Sequence, residues 1–138
     1  MVTVQFTQGA TLHLESGCGI FADENVTIRF GNDFRLNYGV GIIAQKLIEI
    51  GDEALLGDRT VIQDTDWHGI DGNPPKIMPV KLGFYVWLGR DVLVLKGVTI
   101  EDYSIVGARS VVTSNVAANT IVAGNPARQI GQTKSGYC

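Results

Sequence analysis

Aliphatic residues recur every six positions along most of this chain, a period that few folds can accommodate. Leu82, Leu88, Val94, Ile100, Val106 and Val112 stand six apart in the C-terminal half. Leu14, Ile20 and Val26, then Ile50, Leu56 and Ile62, lie on a second comb of the same spacing, which passes through Asn32, Tyr38 and Ala44 between the trios. Twelve of these fifteen positions are Leu, Ile or Val, although only 38 of the 138 residues are of those types. Chance would place about four there, so the excess marks a repeat. A helix repeats at 3.6 and a half-buried strand at 2, so neither explains it, although a short strand fits inside each hexad.

Glycine often follows a comb position, at Gly39, Gly51, Gly57, Gly83, Gly89 and Gly107. Small or β-branched residues recur four places after it, as at Ala54, Thr60, Val86, Val92 and Ser104. The pattern predicts a coil with three flat sides, one hexad per side and a turn at each corner. Sides stacked about 4.8 Å apart pair as parallel sheet. Glycine is expected to give the corner backbone angles that other residues resist. Comb residues then meet their equivalents one coil on, as Leu88 with Val106 and Val94 with Val112. The expected architecture is all-β: one domain over residues 1–138, a parallel β-helix of roughly six coils. A β-sandwich would instead show turn signals every 8–12 residues.

Only between His68 and Leu82 does the comb break, with a step of 14 residues. The segment Gly69–Lys81 holds two glycines and three of the four prolines, which predicts a loop leaving the coil. Loops on rigid scaffolds often carry function. His68 occupies the comb position just before this loop, where an aliphatic residue is expected. A core histidine satisfied by hydrogen bonds is the plain alternative. The broken rule, the adjacent loop and the carboxylates of Asp64 and Asp66 favour a chemical role. Imidazole titrates near neutrality and accepts a proton from an attacking hydroxyl or amine. Asp64 or Asp66 would hold the other ring nitrogen, unless either is only a turn residue; Asp66 is also a candidate substrate contact.

His13, between Leu12 and Leu14, reads as an exposed strand residue. Cys18 reads as core packing, because nothing nearby supplies a base or a lowered thiol pKa. Cys138 is the last residue, so the two cysteines suggest neither a disulfide framework nor a metal knuckle. Two histidines are too few for a three-histidine zinc site within one chain, which argues against a zinc carbonic anhydrase. No metal is expected.

The formal charge of −3 and a pI near 5.2 argue against a nucleic-acid binder. No apolar run approaches the roughly 18 residues of a membrane span, and Met1–Gln8 lacks the form of a signal peptide. A cytoplasmic, soluble protein is the expectation.

Three stretches carry a resemblance: EIGDEALLGDRTVIQDTDWH (Glu49–His68), VWLGRDVLVLKGVTIEDYSIVGARSVVTSNV (Val86–Val116) and IVAGNPAR (Ile121–Arg128). Together they resemble the hexapeptide-repeat acyltransferases, in the branch of galactoside, maltose, xenobiotic and capsular-sugar O-acetyltransferases. The match covers about Asn37 to Arg128. It implies a single-stranded left-handed parallel β-helix, against the usual right-handed rule for parallel crossovers. It also implies a homotrimer with active sites between subunits, and direct acetyl transfer from acetyl-CoA to a small-molecule or saccharide acceptor. By resemblance His68 is the catalytic base and Asn37 a substrate contact. Trp87 lies beside the pantetheine end, and the backbone of Arg90 and Ala108 lines the pantetheine. Thr113 and Arg128 match positions near the adenosine end.

The chain departs from the family pattern at several points. Gln45 stands where the galactoside enzymes carry an acidic substrate contact. Ser114 replaces a basic residue, and Glu101 replaces a glycine, which is expected to disturb that corner. The N-terminal helical segment common in relatives is absent, which reads as a minimal member or a fragment. An N-acetyltransferase acting on a sugar-nucleotide or antibiotic amine, and a non-catalytic trimeric β-helix, are the alternatives.

Overall fold

The computed structural model describes residues 1–134, and Cys138 lies outside them. Among the described residues are seventeen strands and no helix. The chain turns from side to side in rotation, so from β1 to β12 each strand pairs with the third strand after it. The first side stacks β1 (Thr3–Phe6), β4 (Thr27–Phe30), β7 (Leu47–Ile50), β10 (Val80–Leu82) and β13 (Thr99–Ile100). The second stacks β2 (Leu12–Leu14), β5 (Phe34–Leu36), β8 (Leu55–Leu56), β11 (Trp87–Leu88), β14 (Ile105–Val106) and β16 (Thr120–Gly124), then β17 (Ala127–Gln132). The third stacks β3 (Gly19–Ala22), β6 (Gly41–Ala44), β9 (Val61–Gln63), β12 (Leu93–Val94) and β15 (Val111–Val112). Within the sheets every pairing is parallel except the closing hairpin of β16 and β17.

Inside this prism run three apolar ladders, aliphatic except at Phe30. Leu36, Leu56, Leu88, Val106 and Val122 face one another up the second side. Ile42, Ile62, Val94 and Val112 do so on the third, and Phe30, Ile50, Leu82 and Ile100 on the first. All are buried. Each contributes about 1.5–3 kcal/mol by leaving water. The contacts expected of Leu88 with Val106 and Val94 with Val112 are present.

In the N-terminal half the comb loses the interior at Asn32 and Tyr38, although Val26, Ala44, Ile50, Leu56 and Ile62 are buried. Thr3 pairs with Thr27 and Leu12 with Phe34, steps of 24 and 22 residues, whereas Trp87 pairs with Ile105, a step of 18. The longer early turns move the inward positions. Tyr38, on the comb, is 55 % exposed, while Phe34, Leu36 and Val40 fill the interior. Leu14 and Ile20 keep ladder positions but lie in the first turn, with no coil beneath them, and stay exposed. The stack makes about five turns; the count of roughly six assumed a uniform step.

The corners also differ from expectation. The residue three places after the comb, not one, adopts the left-handed region: Glu53, Arg59, Tyr85, Asp91, Tyr103 and Arg109 have φ between 51° and 59°. Of the six comb-following glycines only Gly39, at φ 68°, uses that freedom. The others are small because one coil presses on the next. A Cβ on Gly51 would lie 2.5 Å from the Gly83 carbonyl oxygen. Gly51→Ala is therefore expected to cost about 1–3 kcal/mol of stability, read as a lower urea midpoint with unchanged slope. Glu101 does not disturb its corner. The segment at Val116 stacks on β13 through a parallel bridge to Ile100, with the Glu101 N–H donating to the Val116 carbonyl at 2.9 Å, and Glu101 Oε2 accepts the Ala118 N–H at 3.1 Å.

The excursion is larger than the predicted loop at 69–81 and begins earlier. It leaves the coil at Asp64 as a hairpin arm: Thr65 and Ile77 form an antiparallel bridge, the Asp66 N–H donates to the Lys76 carbonyl at 3.1 Å, and the Met78 N–H to that of Asp64 at 2.9 Å. At the tip the Asn73 N–H donates to the Ile70 carbonyl at 3.0 Å across Asp71 and Gly72, both at positive φ. Two left-handed central residues are what a tight hairpin turn requires. Val80 and Lys81 belong to β10, not to the loop.

Candidate active site

His68 is carried on the outgoing leg of this arm, held by its N–H to the Asp66 carbonyl at 2.7 Å. It is exposed. It therefore does not fill a rung of the coil, as its comb position suggested. The chain has already left the third side at Asp64, and Leu82 takes the next rung. The imidazole lines a cavity of about 450 Å³ with Asp66, Ile70, Asp71, Asn73, Lys76 and Lys96. Lys96 comes from the corner after β12, one coil further on.

The two nearby carboxylates have separate tasks. Asp64 is fully buried, and its Oδ1 accepts the Gln45 N–H at 2.7 Å while Oδ2 accepts those of Lys46 and Leu47 at 2.8 Å each. Three successive N–H groups make an anion-binding concavity, which fixes the root of the arm to the previous coil. Thr65, also buried, donates from Oγ1 to Gln45 Oε1 and accepts the Trp67 N–H at 2.9 Å. Gln45 thus braces the arm from below. Asp66 pairs with Lys96, Nζ to Oδ1 at 2.8 Å. Neither carboxylate is bonded to the imidazole.

A second cavity, of about 470 Å³, opens on the outside of the second side. Asn37, Leu55, Trp87 and Ile105 line its floor, and the corner residues Gly57, Asp58, Gly89, Arg90, Gly107 and Ala108 line its edge. Four of the expected residues, Asn37, Trp87, Arg90 and Ala108, meet there. Trp87 lies on β11 and is 40 % exposed. Its outward position follows from the strand period, since Leu88 beside it points into the core. Arg90 pairs with Asp58. Next to them Arg59 donates to both Asp91 oxygens, at 2.7 and 2.9 Å. That hydrogen bond, aided by the charges of Arg59, Arg109 and Arg90, holds the Asp91 carboxyl below its usual range. A depressed carboxyl stabilises the fold above its unfolded pKa and loses that contribution as pH falls through its folded value. Solvent exposure keeps this contribution small.

Arg128 and Thr113 lie elsewhere. Arg128 lines a third cavity, of about 220 Å³, with Ser114, Asn115 and Gln129, while Thr113 is exposed at the corner after β15. The His68 cavity and the Trp87 cavity share no lining residue. Strand β9 connects their corners: Gly57 and Asp58 precede it, and Asp64 follows it. The two cavities thus occupy opposite ends of the third side. Cys18 is partly buried and donates its thiol to the Asn37 carbonyl at 3.0 Å, a packing role. His13 is exposed on β2. Lys96 carried no signal in the sequence, because a lone corner lysine gives no reason to look at it.

No family model matches the chain. Galactoside O-acetyltransferase of Escherichia coli K12 is 33 % identical over 107 residues, covering 75 % of this chain and 53 % of its own length. The crystal structure of a maltose O-acetyltransferase from Clostridium difficile 630 is 33 % identical with a TM-score of 0.76, covering 91 % of this chain and 68 % of its own. A hexapeptide-repeat-containing acetyltransferase from Vibrio cholerae O1 biovar eltor, crystallised with acetyl-coenzyme A, is 28 % identical with a TM-score of 0.74, covering 92 % of this chain and 72 % of its own. The chain spans about half the length of curated relatives such as the galactoside enzyme.

Proposed function

This chain belongs to the hexapeptide-repeat acetyltransferases, and from that membership we propose that it is an acetyl-CoA-dependent O-acetyltransferase acting on a carbohydrate hydroxyl. The observation that carries the reading is the pairing of an exposed histidine on a braced arm with a tryptophan-lined groove at the other end of the same side. We take the assembly to be a homotrimer of left-handed coils, in which the arm of one chain faces the groove of the next.

The groove suits a coenzyme's pantetheine arm. Trp87 offers a flat apolar face, and the corner residues Gly89, Arg90 and Ala108 line the edge beside it. Its volume falls within the range of small-molecule sites. The acceptor lies in the cavity of His68, with Asn37 of the adjoining groove and Asp66 as its polar contacts. The imidazole takes the proton of the acceptor hydroxyl as its oxygen attacks the thioester carbonyl. The tetrahedral oxyanion collapses, the carbon–sulfur bond breaks, and protonated His68 returns the proton to the leaving thiolate. The products are the acetyl ester and free CoA. A positioned base contributes about 10²–10⁴-fold to such a step.

Thiol release from acetyl-CoA, followed over a panel of saccharides and aminosugars, tests this reading. Release with hydroxyl acceptors is the expected result, release confined to amines would make the chain an N-acetyltransferase, and no turnover with any acceptor would overturn it. Trp87→Ala should weaken CoA binding by about tenfold in calorimetry, the scale of one aromatic contact of 1–1.5 kcal/mol. Unchanged affinity would remove the groove from the coenzyme site.

A further inference from the structure

The cavity around His68 contains one strong contact between the arm and the coil that the proposed chemistry does not use. We infer that Lys96 is a positioning residue that clamps the arm and so fixes the imidazole; this rests on the reading of His68 as the base. Lys96 Nζ lies 2.8 Å from Asp66 Oδ1, with the lysine side chain only 21 % exposed and the aspartate 31 %. The next residue, Gly97, donates its N–H to the Met78 carbonyl at 3.0 Å. The same corner therefore grips both legs of the hairpin, the outgoing one at Asp66 and the returning one at Met78. From Asp66 the linkage passes to His68 in one step, through the hydrogen bond of 2.7 Å between the His68 N–H and the Asp66 carbonyl.

Gly97 suits this role for a steric reason. It has φ 77°, and a Cβ there would meet Met78 Cε at 3.0 Å. The returning leg thus sits directly on this corner. A partly desolvated pair is screened less than a surface one, and its two partners belong to segments that the chain separates by about thirty residues. Without it, the outgoing leg keeps its bridge to Ile77 and the Thr65 contact with Gln45 of the previous coil but loses its side-chain hold on the following coil. Misplacing a base by about 1 Å costs up to 10²-fold in rate.

Lys96→Met and Lys96→Arg, made in the full chain, test the clamp. Lys96→Met should lower kcat by about 10- to 100-fold, with the KM for acetyl-CoA within about twofold of native. The charged groups lining the imidazole's cavity are Asp66, Asp71, Lys76 and Lys96. Lys96→Arg, which keeps the charge, should restore most of the rate. Hydrogen exchange gives a readout that needs no turnover: the Asp66 and Met78 amides should exchange about tenfold faster in Lys96→Met and not in Lys96→Arg. Native exchange and a native kcat in Lys96→Met would overturn the inference. An inactive native chain would end the catalytic reading, while the exchange rates still decide whether the clamp exists.

Discussion

His68→Ala is expected to cut turnover with a saccharide acceptor by about 10²–10⁴-fold while CoA affinity stays within about twofold. The asymmetry follows from where the residues lie. His68 is exposed on the arm, and none of its cavity's lining residues belongs to the groove of Trp87. Its side chain supports nothing in the core, so truncation should leave the thermal midpoint unchanged. Steady-state thiol release gives the rate, and calorimetry gives the affinity. A rate within threefold of native would show that the proton goes to another group. A parallel loss of CoA binding would show instead that the imidazole belongs to the coenzyme groove.

The second large effect is structural. Asp64→Ala should cost about 3–5 kcal/mol, because it leaves three N–H groups in the interior without their acceptor. The carboxylate is fully buried, so water cannot take its place without rearranging the corner. Asp64→Asn should cost less than alanine but more than a surface change, since the amide keeps one acceptor oxygen and turns a donor toward the remaining N–H groups. Because the same residue roots the arm through its carbonyl to Met78, activity should fall further than stability alone dictates. Urea unfolding followed by circular dichroism measures the first effect. A loss below 1 kcal/mol would mean that the three N–H groups find other partners.

Most of the architecture could be read from residue spacing, because in the C-terminal half each side takes six residues and the inward residue is aliphatic. Leu88 and Val106, or Val94 and Val112, were identifiable as neighbours for that reason. The N-terminal half misled because its turns carry two to six additional residues, and the non-aliphatic Asn32 and Tyr38 on the comb were the only trace of them. The glycines were identified correctly, but the corner-angle explanation holds only for Gly39. Their smallness relieves contact between coils, a relation between residues far apart that no local pattern reveals. The hairpin arm did carry a local signal in Asp71-Gly72, overshadowed by three prolines that read as irregular loop. Asn37, Trp87, Arg90 and Ala108, named from resemblance, line one groove, whereas Thr113 and Arg128 lie apart from it. The roles of Asp64 and Lys96 were not legible at all, since each depends on backbone or side chains about twenty to thirty positions away.

The most direct test is a crystal structure of the assembled protein with CoA bound. The proposed function predicts the pantetheine along Trp87, Arg90 and Ala108 of one chain, with its sulfur about 3.5 Å from the imidazole of His68 in the neighbouring chain, within reach for proton transfer. CoA bound elsewhere, or a His68 more than about 10 Å from every thiol, far beyond that reach, would contradict it.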